Sequence, residues 1–223
     1  MAFLVRMGPT YYLNQTKMTN KNKTVSSEQI PARYRASRPR LVQLIGKWFL
    51  RAFNWKVEGS LPEISDNQNI IIIVGPHTSN WDGVFGFAAI LGLDAKISFF
   101  GKHSLFNKPI LGKFLIYMGG IPVDKSKPGI GLTDIAIDNM SKLNGSLLAM
   151  SPEGTRAKTE RLKSGFLRIA HAVQGKVFLA AFDFENKRIL LDSFLNISDD
   201  HERDIAWVQS YYTNFKGKCP ENY

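Results

Sequence analysis

The chain has 223 residues, of which 44% are hydrophobic and 22% are charged, a length and composition that suit one globular domain and exclude a fibrous or intrinsically disordered protein. Its single cysteine, Cys219, excludes an intrachain disulfide and gives no support to a thiolate metal site. The net charge of +10 indicates an anionic partner, either a membrane surface or a nucleic acid.

The positive charge is concentrated near the N-terminus. Residues 1–40 contain eight Lys and Arg but one Glu, a net charge of +7, whereas the other 183 residues together carry +3. Residues 14–29 contain almost no apolar side chains, which predicts a flexible linker. We therefore expect a basic, flexible arm over residues 1–37 and one domain over residues 38–223.

No segment of the sequence has the pattern of a membrane span or a secretory signal. No apolar stretch reaches the roughly 18 to 20 residues that cross a bilayer. The apolar run at the N-terminus is a few residues long and is interrupted by Arg6. We expect a cytoplasmic protein without a transmembrane helix, peripheral to the inner face of the membrane.

Residues 40–54 are predicted to form an amphipathic helix. One stripe of this helix is polar and mostly basic, consisting of Arg40, Gln43, Lys47, Arg51 and Asn54. The other faces are apolar and rich in aromatic residues, which is typical of a helix that lies in a membrane interface. The alternative is a surface helix whose apolar side packs on its own domain, and the sequence leaves both interpretations open.

Strands and helices alternate along the rest of the chain. Buried or alternating apolar runs predict strands at 70–74, 96–100, 121–123, 146–150, 177–184 and 188–191, the last two joined as a hairpin. Helical periodicity predicts helices at 81–91, 104–117, 132–143, 165–173 and 200–211. Helix-length segments between strands indicate parallel crossovers. The predicted fold class is α/β, with a mixed, largely parallel sheet flanked by helices and preceded by the amphipathic helix.

His77 and Asp82 follow the most apolar strand of the chain, in the stretch "PHTSNWDG". Loops at the carboxyl ends of parallel strands are where α/β proteins usually place their chemistry. Thr78, Ser79 and Asn80 are all suitable helix N-caps, so Asp82 is expected in the first turn of the next helix. There its carboxylate is able to reach one ring nitrogen of His77. Such a pair leaves the other nitrogen free to take a proton from a substrate hydroxyl.

Other roles for the same residues are possible. His77 could be a structural histidine that caps the helix. A metal site would need more ligands, and none of His103, His171 or His201 has a spacing that visibly completes one. We therefore expect no metal and no bound cofactor.

The stretch "SPEGTR", Ser151 to Arg156, also follows a predicted strand. Pro152 and Gly154 favour a turn, and the guanidinium of Arg156 is able to bind a phosphate through two hydrogen bonds, with Lys163 as a further cation. The alternative is an exposed turn with an ion pair between Glu153 and Arg156. By itself this stretch is weak evidence for a site.

Taken together and in order, these stretches resemble the motifs of the glycerolipid acyltransferase superfamily, typified by 1-acylglycerol-3-phosphate acyltransferases. "PHTSNWDG" resembles the first motif, "GGIPVDKS" from Gly119 to Ser126 the second, and "SPEGTR" the third, while "FFGKHSLF" from Phe99 to Phe106 is similar to a further family segment. The resemblance covers about residues 61–188. It implies the fold of the glycerol-3-phosphate acyltransferases.

The resemblance assigns roles to individual residues. It implies that His77 and Asp82 are catalytic. It implies substrate-binding roles for residues of the other motifs and their surroundings, namely Lys102, Gly120, Lys125, Glu153, Gly154, Thr155, Arg156 and Lys163. The sequence departs from the family pattern at Lys125, where arginine is usual, and in the strand at 177–184, which lacks the proline of the fourth motif.

The implied activity is transfer of a fatty acyl group from acyl-CoA or acyl carrier protein to a lysophospholipid-type acceptor, as in phospholipid biosynthesis. The expected partners are the lyso-lipid acceptor, the acyl donor and an anionic membrane surface.

A lyso-aminolipid or glycolipid acceptor would use the same histidine and aspartate. A lipid ester or thioester hydrolase is an alternative, but the chain has no Gly-x-Ser-x-Gly motif. No nucleic-acid motif is present, so no nucleic-acid partner is expected.

Overall fold

A central β-sheet organises the protein. The structure, a computed structural model, describes residues 24–64, 67–124, 131–143 and 145–223. Within these residues the strands are β1 (Lys56–Gly59), β2 (Ile70–Gly75), β3 (Ile97–Lys102), β4 (Gly120–Val123), β5 (Leu147–Met150), β6 (Lys176–Asp183) and β7 (Arg188–Leu195). They form one seven-stranded sheet in the order β1-β7-β6-β2-β5-β3-β4.

The sheet is mixed and largely parallel, as predicted. Strands β6, β2, β5, β3 and β4 run parallel to one another. Strand β7 returns antiparallel to β6 as the predicted hairpin, and β1 pairs parallel with β7 at the edge. Strand β1 was missing from the prediction because its four residues are too few to show a periodic pattern. The carboxyl ends of β2, β5, β3 and β4 therefore share one edge of the sheet.

Helices cover both faces of this sheet. They are α1 (Arg40–Ala52), α2 (Asn80–Leu93), α3 (His103–Phe106), α4 (Pro109–Tyr117), α5 (Leu132–Ser141), α6 (Gly165–Ala172) and α7 (His201–Tyr212). The single helix predicted over 104–117 is wrong, because the structure has two helices there. The break falls just before Pro109, which has no backbone N–H and therefore fits the start of a helix better than its interior.

The apolar run of β2 is buried because helices pack on both sides of it. Side chains alternate across a strand, so Ile70 contributes to one hydrophobic cluster, together with α1 and α2. Ile71 and Ile73 contribute to the other cluster, together with α5, α6 and α7. We call these two helical layers the α1–α2 layer and the α5–α7 layer. None of the helices in the described part of the chain combines the length and apolar character needed to cross a bilayer.

Helix α1 packs on α2 through a narrow strip of its surface. Gly46 allows the close approach, since a Cβ atom at this position would lie 2.5 Å from the carbonyl oxygen of Ala88. Leu50 is fully buried beside it. The apolar residues Leu41, Leu44, Ile45 and Trp48 instead point outward, and Leu41 and Trp48 are 71% and 70% exposed. The interpretation that the apolar side packs on its own domain is therefore wrong for this stripe.

The segment before α1 is part of the packed structure as far as it is described. Val25, Ile30 and Tyr34 are buried in the cluster of the α1–α2 layer. The hydroxyl of Tyr34 donates a hydrogen bond to the carbonyl oxygen of Gln68 at 2.6 Å. The interpretation of residues 14–29 as a flexible linker is therefore wrong from residue 24 onward. Residues 1–23 lie outside the described residues, so a flexible arm there stays a prediction.

Candidate active site

His77 lies in the loop between β2 and α2, at the edge of the sheet where the parallel strands end. Its Nδ1 atom is 2.9 Å from Oδ2 of Asp82. Because an ionised carboxylate only accepts hydrogen bonds, this contact places the ring proton on Nδ1 and leaves Nε2 as the acceptor. The His77 side chain is 30% exposed, and no described residue forms a hydrogen bond with Nε2. The ring thus has one fixed and one accessible nitrogen.

Asp82 is held rigidly by the start of α2. Its side chain is completely buried, and Oδ2 also accepts hydrogen bonds from the backbone N–H groups of Thr78 and Ser79 at 2.8 and 2.9 Å. Ser79 is the N-cap, and its hydroxyl accepts from the N–H of Trp81. The negative charge at the first turn also suits the helix dipole. The helix start is therefore capped by Ser79 and Asp82, and His77 is not needed for that purpose.

Glu153 supports the same loop from the neighbouring strand. It follows β5, and its carboxylate accepts the backbone N–H of His77 at 2.8 and 3.0 Å and the hydroxyl of Ser151 at 2.9 Å. Glu153 is 3% exposed. The structure therefore places this residue, which the resemblance assigned to substrate binding, against the backbone of His77 rather than in an open binding surface.

Burial raises the pKa of Glu153 above its ordinary value. The hydrogen bonds from the His77 backbone and the Ser151 hydroxyl oppose this rise because they stabilise the ionised carboxylate. The nearby charge of Asp82 acts in the same direction as burial. The hydrogen bond that Glu153 accepts from the His77 backbone therefore also favours its ionised form.

Three of the predicted cations lie at the same edge and are exposed. Lys102 ends β3, and Arg156 and Lys163 belong to the loop after β5. Within the described residues, none of the three has an ion pair with a carboxylate. Strand β5 lies between β2 and β3, so β3, which ends at Lys102, is about 10 Å from β2. These side chains are available to bind an anionic group near His77.

Gly154 gives the loop after β5 its shape. Its φ angle of +66° is in the left-handed region, which glycine adopts without strain. A Cβ atom here would lie 2.7 Å from Nζ of Lys163, so a side chain would displace that ammonium group. Thr155 is exposed, and its hydroxyl accepts the backbone N–H of Ala157 at 3.2 Å. Gly154 and Thr155 thus shape the loop that carries Arg156 and Lys163.

Of the two predicted residues of the second motif, the structure places Gly120 away from this edge. Gly120 starts β4 and pairs with Phe99, so it lies toward the opposite end of the strand from Val123. A Cβ atom at Gly120 would lie 2.8 Å from the carbonyl oxygen of Leu115, so close packing explains the glycine. Lys125 lies outside the described residues.

The C-terminal part of the chain, from the end of α7 onward, also contacts the His77 loop and the strand before it, and no sequence pattern predicted this. The hydroxyl of Thr78 accepts the backbone N–H of Cys219 at 3.2 Å, and the side-chain amide of Asn222 donates to the carbonyl oxygen of Thr78 at 3.3 Å. Tyr212 is fully buried, and its hydroxyl donates to the carbonyl oxygen of Ile73 at 2.9 Å. These contacts join residues more than 130 positions apart, and a backbone donor such as that of Cys219 leaves no pattern in a sequence.

Comparison with known proteins agrees with this architecture. The family model described as Acyltransferase matches residues 56–181, more than half of the chain. The fold is similar to the crystal structure of the 1-acyl-sn-glycerophosphate (LPA) acyltransferase PlsC from Thermotoga maritima, with a TM-score of 0.58 and 18% sequence identity over 78% of this chain and 76% of that chain. A comparison with curated protein sequences gave no match.

The largely parallel sheet, with a histidine and an aspartate in contact at its carboxyl edge, defines an α/β protein of the acyltransferase class. The family match runs from β1 into β6 and includes His77, Asp82 and the loop after β5. The chain belongs to the acyltransferase family.

Proposed function

We propose that this protein is an O-acyltransferase that moves a fatty acyl group from acyl-CoA or acyl carrier protein to the hydroxyl of a lysophospholipid-type acceptor such as 1-acylglycerol-3-phosphate. The observation that supports this most strongly is the 2.9 Å contact between His77 and the buried Asp82, beside exposed cations without ion pairs among the described residues. Family membership supports acyl transfer, and the cations support an acceptor that carries a phosphate.

In the proposed mechanism, Nε2 of His77 acts as general base. It takes the proton of the acceptor hydroxyl while the oxygen attacks the thioester carbonyl carbon. The tetrahedral intermediate then expels the thiolate as the carbon–sulfur bond breaks, and the imidazolium of His77 returns the proton to sulfur. The products are an ester and a free thiol, so no metal or redox cofactor is required. Asp82 keeps the ring in the tautomer that this step needs.

The remaining site residues position the reactants in this proposal. Arg156, Lys163 and Lys102 bind the acceptor phosphate, and Lys125 of the second motif adds a further cation. Glu153 holds the backbone of His77, while Gly154 and Thr155 shape the loop that presents Arg156. Fixing the acceptor hydroxyl beside Nε2 lowers the barrier by converting a bimolecular encounter into a reaction within one complex.

The experiment is an acyl-transfer assay with a panel of acceptors. Purified protein is incubated with labelled acyl-CoA or acyl carrier protein and with lysophospholipids, lyso-aminolipids and glycolipids, and the products are identified by mass. We expect an acylated lysophospholipid. Acylation of a lyso-aminolipid or glycolipid alone would replace the acceptor class, whereas release of free fatty acid without transfer would indicate a hydrolase.

We also propose that the protein docks peripherally on an anionic membrane through α1. The outward stripe of Leu41, Leu44, Ile45 and Trp48 is apolar, and α1 carries Arg40, Lys47 and Arg51 but no Asp or Glu. An apolar face flanked by cations suits the boundary between headgroups and acyl chains.

This docking is tested by binding to phosphatidylglycerol vesicles at low and high salt. We expect binding that decreases with salt and that falls further in Trp48→Ser. A point substitution is preferable to deleting residues 1–54, because Tyr34 and Leu50 in that segment are core residues. If Trp48→Ser binds the vesicles as strongly as the unchanged protein does, the proposal is contradicted.

A further inference from the structure

Helix α4 has an outward apolar face that the described residues leave uncovered. Ile110 is 88% exposed and Ile116 is 63% exposed. Phe114 and Tyr117 are also exposed, so the apolar surface extends along the whole helix. Exposing this much apolar surface to water is unfavourable unless a membrane or a partner protein covers it.

Helix α4 belongs to the same layer as α1. The ring of Phe114 contacts the ring of Phe87 on α2, with centroids 5.5 Å apart. At the other end of α4, the guanidinium of Arg38 lies over the ring of Tyr117 at 5.5 Å, just before α1 begins. Helices α1 and α4 therefore flank α2 on the same face of the sheet.

The two helical layers differ in their balance of charge. Residues 95–123, which include α4, contain four lysines and no Asp or Glu. Of these, Lys108 and Lys113 belong to α4 or its cap, and among the described residues neither forms an ion pair. The helices of the α5–α7 layer carry charges of both signs, namely Asp134, Asp138, Glu202 and Asp204 together with Arg168 and Arg203. Asp138 and Glu202 are already in ion pairs, with Lys142 and Arg161. An anionic surface therefore attracts the first layer more strongly than the second.

We propose that α4 is a second membrane contact, so that the protein lies on an anionic bilayer with both α1 and α4 in the interface. This inference rests on the proposed docking through α1. The occupant is a lipid bilayer because the exposed side chains are apolar and the charged side chains of α1 and α4 are all positive, which is the complement of an anionic lipid surface.

The two contacts orient the active site. Helix α2 lies between α1 and α4, and its N-terminal turn carries Trp81, which is exposed, and Asp82, which bonds to His77. A bilayer that touches both flanking helices therefore meets the end of the sheet near His77. A lyso-lipid acceptor then reaches the site by lateral movement within the bilayer, without a passage through water.

The test is the depth of spin labels on the full chain bound to phosphatidylglycerol and phosphatidylcholine vesicles. On a Cys219→Ser background, one nitroxide is attached at Ile110→Cys on α4, Ile45→Cys on α1 or Leu143→Cys after α5. Leu143 is a matched control, because it is apolar and 47% exposed but follows a helix of the opposite layer. Relaxation by oxygen and by a water-soluble nickel chelate reports whether each label lies in lipid or in water.

We expect the labels at 45 and 110 to be relaxed severalfold more by oxygen than by the chelate, and the label at 143 to show the reverse. A label at 110 in water while the label at 45 lies in lipid would overturn the second contact and leave docking through α1 intact. Labels at both positions in water would overturn both proposals, whatever the result of the acyl-transfer assay.

A second measurement separates a membrane contact from contact with another copy of the chain. The double variant Ile110→Ser, Ile116→Ser should bind vesicles about tenfold more weakly than the unchanged protein, whereas Leu143→Ser should bind equally well. Light scattering in the absence of lipid should give the same mass for all three. A dimer that the double variant dissociates, with vesicle binding unchanged, would overturn the proposal.

Discussion

The candidate site has two parts, the pair of His77 and Asp82 and the exposed cations. They differ in how many of their polar groups have hydrogen-bond or ion-pair partners. Asp82 is buried and its Oδ2 accepts three hydrogen bonds, and the backbone of His77 is fixed by Glu153. Lys102 and Arg156 are exposed and, among the described residues, have no carboxylate partner. The first part is organised before substrate arrives, as proton transfer requires, whereas the second part becomes ordered only around an anionic acceptor. Substitutions should therefore affect kcat in the first part and KM in the second.

Among the residues that support His77, the largest effect is expected at Asp82. Asp82→Asn should lower kcat about a thousandfold, with little change in the KM for the acceptor, because an amide does not hold His77 in the required tautomer. The Oδ1 atom is buried without a hydrogen-bond partner in the described residues, so an NH₂ group there would be an unpaired donor. The variant should thus also lose about 1 to 3 kcal/mol of stability. Steady-state kinetics well below its melting temperature separate the two effects.

Arg156 should show the opposite kinetic pattern. Arg156→Ala should raise the KM for a phosphate-bearing acceptor about 10- to 100-fold, since a hydrogen bond to a charged group contributes about 1.5 to 3 kcal/mol. Arg156→Lys should recover part of this loss, because lysine keeps the charge but not the two parallel hydrogen bonds. Arg203→Ala, at an exposed arginine on α7, is the control. A fall in kcat without a change in KM would contradict the assignment of Arg156 to binding of the acceptor.

Glu153 should change stability as well as activity. Glu153→Ala leaves the backbone N–H of His77 without its acceptor, and we expect a loss of about 1 to 3 kcal/mol in unfolding free energy together with a lower kcat. Glu153→Gln retains an acceptor oxygen and should keep most of the activity. Denaturant unfolding and steady-state kinetics on the two variants measure this difference.

The raised pKa of Glu153 also gives a pH prediction. The folded protein favours the protonated carboxyl, so this stabilisation is fully present below the ordinary pKa of 4.5 and is lost as pH rises through the higher folded pKa. Glutamine does not titrate. The unfolding free energy of the unchanged protein, relative to that of Glu153→Gln, should therefore fall as pH rises above 4.5 and become constant above the folded pKa. A difference that does not change as pH rises above 4.5 would show that Glu153 has no raised pKa.

The smallest effect is expected at Thr78. Thr78→Val keeps the shape of the side chain but removes the acceptor for the N–H of Cys219. The unfolding free energy should fall by about 1 kcal/mol. The kcat should stay within about threefold, because the N–H of residue 78 still donates to Asp82. A large loss of kcat would show that the C-terminal segment, and not the start of α2 alone, positions His77 and Asp82.

Much of the fold was predictable because its parallel strands are short apolar runs between helices with clear periodicity. The prediction failed where that signal is weak or ambiguous, as at the four-residue strand β1 and at the break before Pro109. The orientation of α1 was also ambiguous. Several of its faces are apolar, and the side that packs is decided by Gly46, whose missing side chain lets α2 approach.

The candidate site was predictable to the extent that its residues are close in sequence. The spacing of His77 and Asp82 places both at one helix start, so their contact follows from local geometry. The contact of Glu153 with the His77 backbone depends on β5 lying next to β2, which the sequence did not specify. For the same reason the C-terminal contacts to Thr78 could not be predicted, since they depend on how α7 packs.

The most direct test of the proposed mechanism is the kcat for acyl transfer in His77→Ala, compared with His103→Ala at saturating donor and acceptor. His103 is exposed and directly follows β3, which lies two strands from β2, so it controls for the loss of an imidazole near the same edge of the sheet. We predict that His77→Ala folds normally and loses at least about a thousandfold in kcat, while His103→Ala stays within about twofold of the unchanged protein. A folded His77→Ala protein that retains appreciable turnover would contradict the assignment of His77 as the general base.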